Sequence, residues 1–467
     1  MKRLTLVLLT FLVILSLVGC IKPEESPIYT DFDDSISELT MSVYLWEARH
    51  LWGAAQRYEN KTGIKVNIQN NYILPDPDNY DSFDPQYAKK IYVEQALTSL
   101  MTGSGADIYD VRYLEFDHLG KNGLLVDMGD WLENDPGLTD DIVFRDILLS
   151  EKTENGIFAM PIDFTFRKLK AAYEDVPLLE NKRMNWQEFF DIVSELDLVQ
   201  DRAYADNELG IFRERFISGN SYYIDEEGNK LNYEAVIALL EECRDWRDMG
   251  LCADSKNDIN AYLDNTYAYL YGMVGYHDLI AEPLCTLPEE YTRVSYGYFP
   301  GSYFAPMLFD GDPVIKNGKK LYPEISDRTG RYGVNAGSPN AEVAQDFLRF
   351  LLSEEEQEEI VYKNYEDSGG IHNGFYIPVS RAAFRNMVDR DLERVKAWNR
   401  NVVLDKPPLI KEAEDAVDEI AYIIMEKPYH ETIIFDLAKQ FFLGEISAEE
   451  AARQMSDKVG LYLKELG

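Results

Sequence analysis

Residues 39–68, LTMSVYLWEARHLWGAAQRYENKTGIKVNI, decide the fold. Thr40 to Leu45 is a short β-type run. Leu51, Ala54, Ala55 and Tyr58 then recur at helical spacing on one face, and Gly63 stops that helix. Ile64, Val66 and Ile68 alternate as a strand. A strand, a helix and a strand at this spacing predict a parallel pair joined by a crossover helix.

Outward from this unit the α/β alternation continues. Tyr92 to Leu100 reads as a helix and Ala106 to Tyr109 as the next strand. Gly120 to Val126 and Trp131 to Leu132 carry the pattern on. Asn185 with Glu188, Ser353 with Glu356, and Ser447 with Glu450 each have capping-box spacing. The helix from Glu234 to Met249 should bury Val236, Leu239, Leu240, Cys243 and Trp246, with Gly250 ending it. Gly228-Asn229 and Asn317-Gly318 read as hairpin turns. An acidic, Pro- and Tyr-rich insertion spans Leu74 to Tyr87. Its Asp76, Asp78, Asp81 and Asp84 lack the glycine and bidentate Glu of a calcium loop, so a solvated loop is expected there.

The chain begins with Lys2 and Arg3, followed by an uncharged apolar run from Leu4 to Val18. A transmembrane helix needs about 20 apolar residues. A basic start before a shorter apolar core predicts a secretory signal peptide over residues 1–19. The run ends Leu17-Val18-Gly19-Cys20, which resembles the lipobox of bacterial lipoproteins. That resemblance implies cleavage before Cys20 and lipid attachment to its sulfur, with a thiolate as the group alkylated. Residues 20–38 then carry prolines and acids with little to bury, so they read as a tether.

What remains exceeds one ordinary core, and two domains are expected. The formal charge is −37 with no long basic run, which argues against nucleic acid as a partner. Thirty-one tyrosines and six tryptophans supply many ring platforms for polar, ring-shaped ligands. Beyond Cys20, Cys243, Cys252 and Cys285 are an odd number and no disulfide framework; buried thiols are expected, with a bridge from Cys243 to Cys252 as the alternative. No His-Glu-x-x-His or phosphate-cradling Gly-Lys-Ser/Thr occurs, so no enzyme activity, metal or cofactor is expected.

Thr62 to Val66, Thr98 to Ile108, Leu119 to Met128, Gly156 to Asp163, Asn185 to Leu196, Gly272 to Tyr276, Tyr296 to Pro300, Gly333 to Leu352, Phe375 to Ser380 and Phe442 to Ala452 form an ordered series of motifs that resembles one family, the extracellular solute-binding proteins of ABC importers, which includes maltose-binding protein. Thr62-Gly63-Ile64-Lys65-Val66 resembles its "tGikV" strand, and Thr98 to Ile108 (TSLMTGSGADI) its "lasGsgPDi" segment with Ala106 in place of Pro. Leu119 to Met128 (LGKNGLLVDM) and Gly156 to Asp163 (GIFAMPID) resemble the next run and the first crossing between lobes. Asn185 to Leu196 resembles the "tWdEf" helix, and Gly272 to Tyr276 resembles "aaM..G.W" with Tyr for Trp. Tyr296 to Pro300, Gly333 to Leu352, Phe375 to Ser380 (FYIPVS) and Phe442 to Ala452 follow in family order.

The resemblance implies a two-lobed α/β periplasmic-binding-protein (Venus flytrap) fold with interleaved domains joined by hinge crossings. One lobe would comprise 39–159 and 331–374, the other 160–330 and 375–467. It implies a monomer, extracytoplasmic and anchored by lipid, that binds a solute and docks on ABC permease subunits. The aromatic content favours a carbohydrate; a peptide or polyol, or a lipid-anchored glycan hydrolase, stay open.

A parallel sheet places its ligand at the carboxyl ends of its strands. Trp46 and Glu47 follow the first strand, Arg112 and Tyr113 the Asp107 strand, and Asp163 the first crossing. Tyr276 matches the family's stacking aromatic, with His277 and Asp278 beside it and Tyr298 as a further candidate. A core Trp or Tyr, a solvated Glu and hinge packing at Phe164 are the competing readings.

Overall fold

A computed structural model describes residues 36–44, 48–70, 85–164, 166–171, 207–225, 230–250, 252, 269–274, 314–316, 319–325, 330–359, 377–398, 406–424 and 426–466. Strands β1 (Glu38–Val43), β2 (Lys65–Asn70), β3 (Ile108–Asp110) and β4 (Met160–Pro161) come early in the chain. Two further strands follow, β5 (Asp163–Phe164) and β6 (Phe166–Ala171). Then come β7 (Ile224–Asp225), β8 (Lys230–Leu231), β9 (Tyr269–Val274), β10 (Val314–Lys316) and β11 (Lys319–Ile325). The chain returns in β12 (Arg331–Val334), followed by β13 (Ile377–Pro378) and β14 (Ile420–Ile424).

The opening unit forms as its spacing predicts. β1 and β2 pair in parallel, Glu38 opposite Lys65 and Val43 opposite Asn70. The helix Ala48–Thr62 between them buries Leu51, Ala54, Ala55 and Tyr58. Gly63 takes φ +77, where side chains with a Cβ are strained, and its amide bonds the carbonyl of Glu59 at 2.8 Å.

A five-stranded sheet grows from this pair in the order β2-β1-β3-β12-β4. β3 is parallel to β1, and β12 is antiparallel to both β3 and β4. The chain therefore returns after more than a hundred residues to insert β12 inside the first sheet. Both faces are covered, as a parallel sheet requires. Ile108 joins Leu39, Met41, Val43 and Tyr58 in one core. Its neighbour Tyr109 points to the other face, with Tyr92, Ala96 and Leu100 of the helix Pro85–Thr102. The helix Ala341–Leu351 closes the first face, its Phe347 and Phe350 rings 5.1 and 5.3 Å from Tyr58. Phe384, Met387 and Val388 of the helix Arg381–Trp398, with Ala413 and Val417 of Lys406–Val417, join that same core.

A second core lies elsewhere. The helix Tyr233–Asp248 buries the five predicted residues, Val236, Leu239, Leu240, Cys243 and Trp246, and Gly250 follows at φ +74. They pack with Phe212 and Phe216 of Glu208–Ser218, Phe441 and Phe442 of Asp436–Phe442, and Met455 and Val459 of Ala448–Leu466. Cys243 and Cys252 are both buried and are not joined to each other; Cys285 lies outside the described residues. β7 pairs β8 and β10 pairs β11, both antiparallel; the expected turns at Gly228-Asn229 and Asn317-Gly318 lie outside the described residues.

Two capping boxes form only by half. The amides of Glu356 and Glu450 approach the hydroxyls of Ser353 and Ser447 at 3.4 and 3.2 Å. Neither glutamate side chain reaches back. Glu356 is taken by Arg57 through two bonds of 2.6 and 2.7 Å, and Glu450 by Arg453 and Gln454. A bidentate charged bond outcompetes a bond to one backbone amide. The third box, at Asn185, lies outside the described residues.

Candidate functional site

β1, β3 and β4 run in the same direction, so Tyr44, the Asp110–Glu115 segment and Asp163 leave the sheet at one edge. This is the carboxyl edge, where open α/β sheets take their ligands. Three tyrosines gather there. The ring of Tyr44 stands edge-on to Tyr113 at 5.0 Å and to Tyr92 at 5.8 Å. The Tyr92 hydroxyl donates to the carbonyls of Asp110 (2.6 Å) and Ser42 (3.1 Å), which ties the ends of β3 and β1 together. Burial, and then the charge of Asp110, hold the Tyr92 phenol well above its usual range, so it stays a donor.

Arg112 stands in the turn after β3. It is buried, and its guanidinium clamps the buried carboxylate of Asp110 at 2.6 and 3.0 Å. The pair fixes the turn after β3 and holds the Arg112 carbon 5.4 Å from the Tyr113 ring centre. Lys89 lies 5.0 Å from the same ring centre. Tyr113 and Tyr44 are each only partly buried and offer the aromatic surface of this edge.

At β4 the chain leaves the sheet, and here the two predicted crossings meet. Asp163 and Phe164 of β5 pair antiparallel with Pro378 and Ile377 of β13. The Phe164 ring is fully buried, 6.0 Å from Phe144, which in turn meets Phe384 at 5.2 Å. Phe164 is thus packed where the two segments join. Gln357 is buried beside them, bonding the carbonyl of Ile162 and accepting from the amide of Ser380. Arg331, wholly buried, pairs with Glu151 at 2.9 Å and reaches the carbonyl of Asp163 at 3.4 Å. Asp163 itself is 3% exposed.

The other candidates, Trp46, Glu47, Tyr276, His277, Asp278, Tyr298 and Cys20, lie outside the described residues, as does the Asp76 to Asp84 loop. Among the described residues no three or more His, Cys, Asp or Glu are placed to hold a metal, and no helix is long and apolar enough to cross a membrane. Sequence reading missed Tyr44, Tyr92, Arg331 and Gln357. Tyr44 directly follows β1, and Arg331 is a charge opening an otherwise buried strand, so both left a signal.

No protein-family model matches the chain, and no curated protein sequence matches it. Solved structures do. An extracellular solute-binding protein family 1 member from Alicyclobacillus acidocaldarius subsp. acidocaldarius superposes with a TM-score of 0.52 at 14% identity, covering 93% of this chain and 100% of that one. The chain has the fold of the extracellular solute-binding proteins. The ABC substrate-binding protein Lmo0181 from Listeria monocytogenes, in complex with cycloalternan, matches it with a TM-score of 0.53 at 13% identity, over 92% of this chain and 99% of that one. A de novo designed esterase, improved by directed evolution and rational design, has the same score at 14% identity, over 92% and 99%. The solute-binding fold therefore hosts different activities, and a function must be argued from the site.

Proposed function

We propose that this chain is the solute-binding component of an ABC importer, held outside the cytoplasm by a lipid on Cys20, and that it takes a carbohydrate between two lobes. One observation carries the reading: the paired crossings β5 and β13 lie at the sheet edge where Tyr44 and Tyr113 present their rings. A cleft at a hinge with aromatic walls suits sugar rings, which offer apolar faces to stack and hydroxyls to bond. A protein of the same fold in complex with cycloalternan supports the carbohydrate.

In this reading residues 39–159 with 331–374 form one lobe, and 160–330 with 375–467 the other. The insertion of β12 between β3 and β4 supports such interleaving, while the helices Arg381–Trp398 and Lys406–Val417 pack into the first core. The ligand would meet Tyr276, Trp46, Glu47, His277, Asp278 and Tyr298 besides the edge at Tyr113 and Asp163. The closed form would dock on the permease as a monomer.

A thermal-shift screen of mono- and oligosaccharides beside peptides and polyols tests this. A ligand at a hundred times its Kd adds about 2.7 kcal/mol of stability. Stabilisation by saccharides alone is expected. Stabilisation by peptides or polyols alone removes the carbohydrate reading, and cleavage of the oligosaccharides removes the transport reading. Cys20→Ser should move the protein from the membrane to the soluble fraction; unchanged retention would refute the anchor.

A further inference from the structure

The hydroxyl of Tyr462 donates a 2.9 Å hydrogen bond to Oε1 of Glu115, across 347 positions of sequence. The two residues belong to different packing units. Glu115 sits on the segment that leaves β3, between Leu114, buried in the cluster on the sheet's second face, and Phe116, partly buried against it. Tyr462 is near the end of the helix Ala448–Leu466, whose Ala448, Ala451, Ala452, Met455 and Val459 lie in the second core. Its ring rests on that same core, 5.7 Å from Tyr429.

The position matters as much as the bond. The crossing at β5 continues from β4, and Glu115 follows β3, two places along the same sheet edge with only β12 between them. Strands are spaced at about 4.8 Å, so the two attachments stand about 10 Å apart at the sheet. One attachment is covalent chain. The other is a side-chain bond that can break without disturbing either core. Burial and the nearby Glu115 charge both raise the Tyr462 phenol, which keeps it a donor.

We infer that Tyr462 and Glu115 form a clasp that holds the second core against the carboxyl edge of the first sheet and opens when the two separate. The clasp goes beyond the transport reading and needs no ligand. A hydrogen bond to a charged acceptor biases such an equilibrium by about tenfold or more. Tyr462→Phe removes only the hydroxyl, and Glu115→Ala removes its acceptor on the surface side of the contact.

The experiment is small-angle scattering of the ligand-free chain, wild type beside Tyr462→Phe, Glu115→Ala and the double variant, each checked for an unchanged far-ultraviolet spectrum. Each single variant should expand relative to wild type, and the double variant should expand no further than either. Superimposable profiles would overturn the clasp. Additive expansion would overturn it too, because the two residues would then act apart. Since no solute enters the measurement, its failure stays separate from a failed saccharide screen.

Discussion

The side-chain amide of Gln357 donates to the carbonyl of Ile162 at 2.8 Å, and the same side chain accepts from the amide of Ser380 at 3.2 Å. Ile162 precedes one crossing strand and Ser380 follows the other. One side chain therefore satisfies backbone groups of both segments, in addition to the ladder between Asp163 and Pro378. A third bond, to the carbonyl of Leu351, fixes the amide from the helix side.

Gln357→Leu keeps the bulk and orphans these buried groups. An unsatisfied buried donor or acceptor costs about 1–3 kcal/mol. The variant should lose about 2 kcal/mol or more in urea unfolding. A loss below about 0.5 kcal/mol would mean that water replaces the amide.

Arg331 yields a second prediction. Its guanidinium is wholly buried between Glu151 and the carbonyls of Asp163 and Gly330. Arg331→Met leaves Glu151 with a charge and no cation, and breaking a buried pair costs about 3–5 kcal/mol. Adding Glu151→Gln should restore part of that loss. A double variant as unstable as the single one would show that Arg331 acts through the carbonyls alone.

Local period made the opening unit legible: Leu51, Ala54, Ala55 and Tyr58 are one helical face, and Gly63 is its stop. Contacts set by distant chain were not legible. Gln357 stands in the run Ser353-Glu-Glu-Glu-Gln-Glu-Glu, which reads as solvated, yet Glu356 and Gln357 are buried because Arg57 and the crossing backbone bond them. The same competition by Arg57 undid the capping box. At the candidate site the segment was legible and the role of Arg112 was not. Arg112 stands in the turn after β3, and it is the turn, not a strand period, that brings its guanidinium back onto Asp110.

Tyr276 carries a prediction from sequence position alone. Under the proposed function it would be the stacking aromatic, because it follows Met273 and Gly275 as that aromatic does in the family the sequence resembles; Met273 pairs with Arg167 in the β6–β9 ladder. Removing a stacking ring costs about 2 kcal/mol or more, roughly thirtyfold in affinity. Tyr276→Phe should keep most of the binding and Tyr276→Ala should lose it, read by calorimetry with a ligand from the screen. Wild-type affinity in the Ala variant would make Tyr276 structural and move the search to Trp46 and Tyr113.

Two buried groups give the stability of the protein opposite slopes with pH. His430 is fully buried in the second unit; its Nδ1 accepts from the amide of Lys427 at 3.2 Å, so Nε2 carries the proton facing Oδ1 of Asn220 at 2.8 Å. Burial first, then the charges of Lys427 and Arg213, push its pKa well below the usual value. The unfolded chain titrates this histidine near 6.5. As pH falls below that value the unfolded state binds the extra proton, so this contribution to stability is present above about 6.5 and lost on acidification. Asp346 behaves in reverse. Burial raises its carboxyl to about 6, against the Tyr58 hydroxyl that donates to it at 2.8 Å and the charge of Arg349. Between about 4 and 6 the folded state binds more protons, so stability falls as pH rises through that window. Partial access of water limits the effect to on the order of 1 kcal/mol. In urea unfolding between pH 4 and pH 8, His430→Gln should lose less stability than wild type on acidification below 6.5. Asp346→Asn should remove a decline between pH 4 and pH 6 and gain on wild type at pH 7. If Asp346→Asn runs parallel to wild type across that window, the carboxylate titrates as an exposed one and its bond to Tyr58 offsets the whole of its burial.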